Sequence, residues 1–178
     1  MKRVTLVTGP IASGKSAVCQ YLSRLSYPVY DCDSRVKALY QSKEGLVKQI
    51  ERELGVDFSK LTIIFTDDAK RTKLESIVYP ILLEDMLSWI ESQDAKHLFI
   101  ESAIALEKEL FDNVYDDVLI IISDLSVRME RNPKVQQRDS LQHVDTSRAD
   151  YIINNESTIE QLHKKIDKYL NEYENRSC

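Results

Sequence analysis

The sequence predicts an α/β protein with a five-stranded parallel sheet that is covered by helices on both faces. Short apolar segments of strand length alternate with longer segments that carry apolar residues at helical spacing, and this alternation is typical of parallel sheets. A glycine-containing loop stands between the first strand and the first helix, at the edge where such sheets bind ligands. With 178 residues the chain can bury a core of its own, so we expect one domain over residues 1–178.

The predicted strands are short runs of β-branched and other apolar residues. In chain order they are Arg3–Thr8, Pro28–Asp31, His97–Glu101, Asp117–Ser123 and Ala149–Ile153. A further apolar run, Leu61–Phe65, fits either a short strand or a loop segment that packs on the core.

The predicted helices are segments with apolar residues three and four positions apart. They are a first helix through Leu25, a second from near Ser34, a third over Leu46–Gly55, a long fourth after Asp67, a short fifth over Leu125–Arg131 and a last over Thr158–Tyr173. Asp67 and Asp68 predict the N-cap and first turn of the long helix. Pro80 is expected to kink that helix or to divide it in two.

Residues 9–16 read Gly-Pro-Ile-Ala-Ser-Gly-Lys-Ser and directly follow the first strand. This spacing is that of a loop whose main-chain N–H groups surround a phosphate chain, and the positive end of the next helix points at the same phosphates. Lys15 would reach the β- and γ-phosphates, and the Ser16 hydroxyl can bind Mg²⁺. A tight turn that binds nothing is the alternative. We predict a phosphate site formed by Gly9, Pro10, Ile11, Ala12, Ser13, Gly14, Lys15, Ser16 and Ala17.

Carboxylates follow the second and third predicted strands, at the same edge of the sheet as the loop. Phosphoryl transfer to an alcohol needs a carboxylate that orients the hydroxyl and takes its proton, and Asp33 is well placed for this role. Asp31 could bind Mg²⁺ through water or cap the next helix, and both aspartates could be N-caps. Glu101 ends a strand where it could meet Mg²⁺ or the acceptor.

Four arginines surround the polar, poorly periodic stretch 132–147: Arg128, Arg131, Arg138 and Arg148. Guanidinium groups match the geometry of the equatorial phosphoryl oxygens, on which negative charge spreads during transfer. The segment therefore fits a lid that brings arginines over the phosphates and excludes water. For any one of these arginines, a solvated charged loop is the alternative.

The bulk composition excludes several classes of protein. A net charge of −5 gives no basic face for nucleic acid, and no apolar run is long enough to cross a membrane or to serve as a secretory signal. Cys19, Cys32 and Cys178 have neither metal-ligand nor disulfide spacing, so we expect reduced thiols in a cytoplasmic protein.

Several motifs beyond the loop resemble those of the dephospho-CoA kinase family, over Met1 to about Leu162. Val29-Tyr-Asp-Cys-Asp33 is similar to the family's Asp-Ala-Asp signature, and Phe99-Ile-Glu-Ser-Ala-Ile-Ala-Leu-Glu107 is similar to its acidic strand end before Pro-Leu-Leu-Phe-Glu. Arg148-Ala-Asp-Tyr-Ile-Ile-Asn-Asn155 resembles the family's Arg-Ala-Asp-Tyr-Val-Ile-Asp-Asn. Val135-Gln-Gln-Arg138 with Gln142 resembles its lid motif.

The resemblance implies a three-layer P-loop kinase fold, with a helical acceptor-binding subdomain over residues 34–93 and a short lid over 128–147. It implies transfer of the ATP γ-phosphoryl group to the ribose 3′-hydroxyl of dephospho-CoA, with Mg²⁺. Lys15, Asp33 and Arg138 would be catalytic, Arg148 would help to bind ATP, and Ser16 would bind the metal. We expect only small-molecule partners, ATP and dephospho-CoA, and a monomer or weak homo-oligomer.

The sequence departs from the family pattern at three places. Pro10 and Ala12 stand where the family usually has glycines, Tyr79 precedes Pro80 where a histidine is common, and the lid is several residues shorter. Two alternatives therefore stay open. One is a related P-loop kinase with another nucleoside or a small alcohol as acceptor, and the other is a nucleotide-binding relative without transfer activity.

Overall fold

The computed structural model describes residues 2–138 and 144–176, with the side chains of 137, 138 and 173–176 excepted. The chain divides into two compact units. One, here called the sheet unit, comprises the residues before 31 and after 92; the other, the helical unit, comprises residues 31–92. The helical unit lies close to the range 34–93 expected for an acceptor-binding subdomain, and that role stays a prediction.

Five strands form one sheet in the order β2-β3-β1-β4-β5. They are β1 Arg3–Thr8, β2 Val29–Asp31, β3 His97–Glu101, β4 Asp117–Ile122 and β5 Tyr151–Asn154. The central strand, β1, runs parallel to both neighbours and places Val7 opposite Glu101 on one side and Leu119 on the other. Strand β5 runs parallel to β4. The predicted α/β class and five-stranded sheet are confirmed.

Two strands begin later than predicted. The second begins at Val29 because Pro28 has no N–H to donate to a ladder, although its carbonyl accepts from the N–H of Phe99 at 3.0 Å. The fifth begins at Tyr151 because Ala149 still belongs to a turn, in which its N–H donates to the carbonyl of Thr146 at 3.2 Å.

Helices pack on the sheet, and its strands β1 and β4 are almost wholly buried, as is typical of parallel sheets. Helices α1 Lys15–Arg24 and α7 Ile159–Arg176 share one buried cluster with the strands, built from Val7, Val18, Leu22, Phe99, Leu119, Ile121, Ile153, Leu162 and Ile166. Cys19 is buried in this cluster, as predicted for a small apolar side chain. The sheet unit also holds α5 Leu125–Arg131, α6 Val135–Arg138 and 3-10 helices Ala105–Glu107, Glu109–Phe111 and Thr146–Arg148.

The helical unit contains α2 Cys32–Ser42, α3 Leu46–Leu54, a 3-10 helix Phe58–Phe65 and the long α4 Asp68–Ser92. One stripe of α4 with a four-residue period is buried, at Leu74, Val78, Leu82 and Met86. The guanidinium of Arg35 joins α2 to α4 by donating two hydrogen bonds, of 2.8 and 2.6 Å, to the carboxylate of Asp85.

Three sequence predictions for the helical unit are refined by the structure. Asp67 caps α4, since the N–H of Lys70 donates to its carboxylate at 3.0 Å, but Pro80 does not divide that helix in two. Segment Leu61–Phe65 is neither strand nor loop but part of the 3-10 helix, which buries none of its side chains. In the described part of the chain, we find no helix with the length and apolar character that a membrane span requires.

Candidate active site

The loop Gly9–Ser16 leaves β1 and enters α1 through backbone conformations that few residues adopt. Gly9 has a φ of 144° and Gly14 a φ of 105°, both of which favour glycine. Ala12, at a φ of 62°, takes the left-handed conformation without being a glycine. Ala12 stands where the family usually has glycine, and it adopts a backbone conformation that favours glycine.

Both loop glycines are also required by the protein that packs against them. A Cβ atom on Gly9 would lie 2.1 Å from the carbonyl oxygen of Ile121, and one on Gly14 would lie 2.2 Å from Nδ2 of Asn155. The sequence indicated one reason for glycine at these positions, the close approach of the loop backbone to a ligand. The structure adds a second reason, because each contacts the end of a neighbouring strand too closely for any side chain.

Polar groups from the ends of β4 and β5 hold the carbonyl oxygen of Ser13. The Asn155 amide donates to it from Nδ2 at 2.8 Å, and the Ser123 hydroxyl oxygen lies 3.3 Å from it. Asn155 is only 6% exposed, and its own N–H donates to the carbonyl of Ile122 at 2.8 Å. The loop is therefore attached to the sheet through a buried side chain whose backbone is part of the sheet edge.

Two arginines of α5 donate to the same side of the loop. Nη1 of Arg128 lies 3.4 Å from the Ile11 carbonyl oxygen, and its Nε donates to the Ser123 carbonyl at 3.1 Å. Nη1 of Arg131 lies 3.4 Å from the carbonyl oxygens of both Ala12 and Ser13. We expected arginines of this segment over the phosphates. These two contact main-chain oxygens of the loop, and any contact with phosphates stays a prediction.

The ammonium group of Lys15 is held inside the loop by main-chain oxygens. Its Nζ donates to the carbonyls of Gly9 at 2.9 Å and Pro10 at 3.1 Å. Lys15 is also the first residue of α1, whose N-terminal N–H groups have no partners within the helix. An ammonium group and a helix N-terminus therefore lie together, an arrangement that favours polyanions.

The side-chain oxygens of Ser16 and Glu101 meet where α1 begins and β3 ends. The Ser16 hydroxyl donates to Oε1 of Glu101 at 2.9 Å, across the β1–β3 edge. Hydroxyl and carboxylate oxygens are hard donors of the kind that Mg²⁺ prefers, and Mg²⁺ commonly binds one or two protein groups together with phosphates. Among residues 2–138 and 144–176, no three His, Cys, Asp or Glu side chains gather into a metal cluster. The Ser16–Glu101 pair fits Mg²⁺ that is also bound by phosphate oxygens.

The aspartates of the helical unit differ in their surroundings. Asp31 is the N-cap of α2: its carboxylate accepts from the N–H of Ser34 at 3.1 Å and from the Ser34 hydroxyl at 2.7 Å. The capping alternative is therefore confirmed for Asp31, and it explains why α2 begins at Cys32, earlier than predicted. Asp33 lies exposed in the first turn. Its role stays a prediction.

Of the remaining candidate arginines, only Arg148 has a described side chain. Arg148 donates to the Leu106 carbonyl at 2.6 Å, to the Asp112 carboxylate at 2.9 Å and to the Tyr115 hydroxyl at 3.1 Å. Its hydrogen bond keeps the pKa of the Asp112 carboxyl below the usual value. Arg138 ends α6, but its side chain lies outside the described part, as do residues 139–143 with Gln142. ATP binding by Arg148 and catalysis by Arg138 both stay predictions.

Sequence reasoning did not single out Asn155 as part of the site. Asn155 stood inside a quoted motif, and its position just after an apolar strand was a usable signal, because strand ends in this fold meet the loop. The contact itself joins residues 142 positions apart, which no local pattern reveals.

The sequence and the fold are both similar to those of known proteins. The family model described as dephospho-CoA kinase matches residues 3–171. A dephospho-CoA kinase from Rickettsia typhi is 28% identical, over 94% of this chain and 96% of that protein. A crystal structure from Thermus thermophilus superposes with a TM-score of 0.80 at 24% identity, covering 96% of this chain and 97% of the other. A dephospho-CoA kinase from Campylobacter jejuni covers both chains fully, with a TM-score of 0.69 and 20% identity.

Proposed function

We propose a division of roles among these residues, and its premise is that the chain belongs to the dephospho-CoA kinase family. The protein is a phosphotransferase that uses ATP to phosphorylate the ribose 3′-hydroxyl of dephospho-CoA, giving CoA and ADP. The observation that carries this conclusion is the family match over residues 3–171, which includes the phosphate loop, both aspartates and the motif that ends at Asn155.

The loop Gly9–Ser16 and the N-terminus of α1 would bind the phosphates of ATP. The side chains of Asn155 and Arg128 contact the carbonyl oxygens of Ser13 and Ile11. The N–H groups on the opposite side of the loop can therefore face an anion. Lys15 would move its ammonium group from the carbonyls of Gly9 and Pro10 to the β- and γ-phosphates. There it would stabilise the charge that spreads over the transferring group.

Ser16 and Glu101 would hold Mg²⁺ beside the phosphates, because their oxygens already meet at 2.9 Å. The metal would supply charge neutralisation at the β- and γ-phosphate oxygens. Both side chains would turn from each other toward the ion, with the Ser16 hydroxyl acting as a neutral ligand and the Glu101 carboxylate as a charged one.

Asp33 would orient the acceptor hydroxyl and receive its proton. Support comes from the similarity of Asp31-Cys-Asp33 to the family signature, together with the different position of the two carboxylates, since Asp31 caps α2 and Asp33 does not. Arg138 would stabilise the transferring phosphoryl group, and Arg148 would bind ATP, as the resemblance implies. A cytoplasmic location and a monomeric or weakly associated state complete the proposal.

A coupled assay that follows ADP release from ATP and Mg²⁺ tests the function directly. We expect release that depends on dephospho-CoA, with adenosine and nucleoside monophosphates as poorer acceptors. Tyr79 and the short lid make this acceptor panel necessary. Equal rates on all acceptors would leave a P-loop kinase of another specificity, and ATP binding without any acceptor-dependent release would leave a nucleotide-binding relative.

Replacement of Asp33 by asparagine tests the proposed base. Asp33→Asn should lower kcat about 100-fold and leave ATP binding unchanged, because the amide cannot take a proton. The matched control is Asp31→Asn, since asparagine also caps helices and should preserve most of the activity. If Asp33→Asn changed only the KM of the acceptor, Asp33 would be a binding residue, and if Asp31→Asn had the larger effect on kcat, the two roles would be reversed.

A further inference from the structure

We propose that Asn155 and Arg131 are positioning residues for the phosphate loop, which set the direction of its peptide groups and thereby the affinity for ATP. The inference rests on the proposed use of ATP by this loop. It adds two residues that contact no reacting atom and that lie outside the eight-residue loop motif.

The main chain of Asn155 is hydrogen-bonded to the end of β4 and to Ser123, and its side chain contacts the phosphate loop. Its main-chain N–H donates to the carbonyl of Ile122 at 2.8 Å, which ties it to the end of β4. Its carbonyl oxygen accepts from the Ser123 hydroxyl. Its side-chain amide then donates to the Ser13 carbonyl oxygen at 2.8 Å, and it lies so near Gly14 that a Cβ atom there would be 2.2 Å from Nδ2. The Ser13–Gly14 peptide is thus in close contact with the buried amide of Asn155.

Arg131 joins the same groups from the neighbouring helix. Its Nη2 donates to the Asn155 carbonyl at 3.0 Å, and its Nη1 donates to the Ser123 hydroxyl at 3.1 Å. The same Nη1 lies 3.4 Å from the carbonyl oxygens of Ala12 and Ser13. One planar guanidinium therefore connects two consecutive loop carbonyls to both strand ends that support them.

Peptide geometry converts these contacts into control of the anion site. In a trans peptide the C=O and the following N–H point in opposite directions. With the Ser13 carbonyl bound to Asn155, the N–H of Gly14 must point to the other side of the loop. A rotated peptide would present an oxygen there instead, and an oxygen repels phosphate. Holding the carbonyl is therefore equivalent to preparing the N–H for a ligand.

Replacing the Asn155 donor tests this inference. Asn155→Asp keeps the size of the side chain but removes the N–H that holds Ser13, and we expect the KM for ATP to rise about 10- to 100-fold. The KM for dephospho-CoA should stay within about twofold, because the acceptor does not bind the loop. The matched control is Asn154→Asp at the adjacent exposed position, which introduces the same charge and the residue that the family motif has; its ATP KM should be unchanged.

Arg131→Lys separates geometry from charge, and it serves as a second variant should Asn155→Asp fail to fold. Lysine keeps the positive charge, but its single ammonium group cannot connect the loop carbonyls to both strand ends. We expect its ATP KM to rise by about tenfold or more. A lower melting temperature and a lower kcat, with normal KM values for both substrates, would show that the two residues only stabilise the fold, and would overturn the inference.

The same variants distinguish failure of the inference from failure of the proposed function. The rise in melting temperature on addition of ATP reports loop binding without any acceptor. If the unaltered protein shows this rise but no transfer to dephospho-CoA, the proposed function fails while the loop inference can still be judged. If the unaltered protein transfers phosphoryl groups and Asn155→Asp keeps the full ATP-induced rise, the inference fails alone.

Discussion

The two ends of the parallel sheet use polar side chains in opposite ways. At the amino end, carboxylates accept from strand N–H groups: Asp116 from Val4 at 2.8 Å and Asp150 from Val118 at 2.8 Å. At the carboxyl end, an amide and guanidinium groups donate to main-chain oxygens of the loop. These aspartates thus occupy main-chain N–H groups at the amino end, whereas the amide and guanidinium groups occupy main-chain oxygens at the carboxyl end.

This difference decides which end can bind an anion. Main-chain N–H groups satisfied by aspartates have nothing to offer a phosphate, and the carboxylates repel it. Where the protein instead satisfies carbonyl oxygens, the N–H groups of the loop can serve a ligand. Substitution of Lys15 or Glu101 at the carboxyl end should therefore change catalysis with little effect on stability, and substitution of His97 at the amino end of β3 should do the reverse.

The largest effect is expected from Lys15→Ala. Loss of the ammonium group should lower kcat about 100- to 1,000-fold, because it stabilises charge on the transferring phosphoryl group. The melting temperature should change little, since the ammonium group donates to the loop carbonyls of Gly9 and Pro10 and the side chain is not part of the buried apolar cluster. Steady-state kinetics and thermal unfolding measure the two quantities. Lys164→Ala, on an exposed part of α7, is the control, and a nearly normal rate for Lys15→Ala would remove the loop from the mechanism.

A smaller effect is expected from Glu101→Gln. The amide keeps a hydrogen-bond partner for Ser16 but loses the negative charge, so the Mg²⁺ concentration for half-maximal rate should rise about tenfold. A magnesium titration of the initial rate measures this shift. Glu107→Gln, in the exposed part of the next 3-10 helix, is the matched control. An unchanged magnesium requirement for Glu101→Gln would contradict the proposed metal site.

The smallest effect on activity is expected at His97, a half-buried residue of β3 whose substitution should change stability instead. Burial lowers the pKa of His97 to about 4, and its Nε2 lies 2.9 Å from the Thr5 hydroxyl. The unfolded chain binds the proton near the ordinary histidine pKa of about 6.5. The neutral ring therefore contributes stability above that pH, and this contribution is lost as the pH falls from about 6.5 toward 4, by at most about 1.4 kcal/mol per pH unit.

Urea unfolding of His97→Gln at a series of pH values tests this linkage. The variant should show a flatter dependence of the unfolding free energy on pH over that window, while kcat at neutral pH stays normal. His163→Gln is the control, since His163 stacks on Tyr21 at the surface of α1 and α7 with a ring separation of 3.8 Å. An unchanged slope for His97→Gln would assign the acid sensitivity to other groups.

Local patterns were sufficient for much of this structure. Strand β1, the loop and α1 follow from residues that are consecutive in the sequence, and apolar periodicity predicts α3 and α5. The pairing of Ser16 with Glu101 agrees with the rule that strand ends meet at one edge, although the sequence left the partner of Glu101 open.

Other features could not be predicted, because they depend on contacts between distant residues or because composition alone does not distinguish a strand from a 3-10 helix. Leu61–Phe65 has strand-like composition, but in the structure it is a 3-10 helix. Arg128 and Arg131 share the composition of a lid, and only the position of α5 beside the loop shows that they bind its carbonyls. Arg148 is likewise engaged by Asp112 and Tyr115, which precede it by more than thirty residues.

The distance in sequence between Ser13 and Asn155 has a consequence for protein synthesis. Ser13 is synthesised first, and the Asn155 amide that donates to its carbonyl follows 142 residues later. A nascent chain that ends before β5 would carry every residue of the G-x-x-x-x-G-K-S pattern and still lack the donor for the Ser13 carbonyl. In our proposal, the full affinity for ATP is therefore reached only when β5 has joined the sheet.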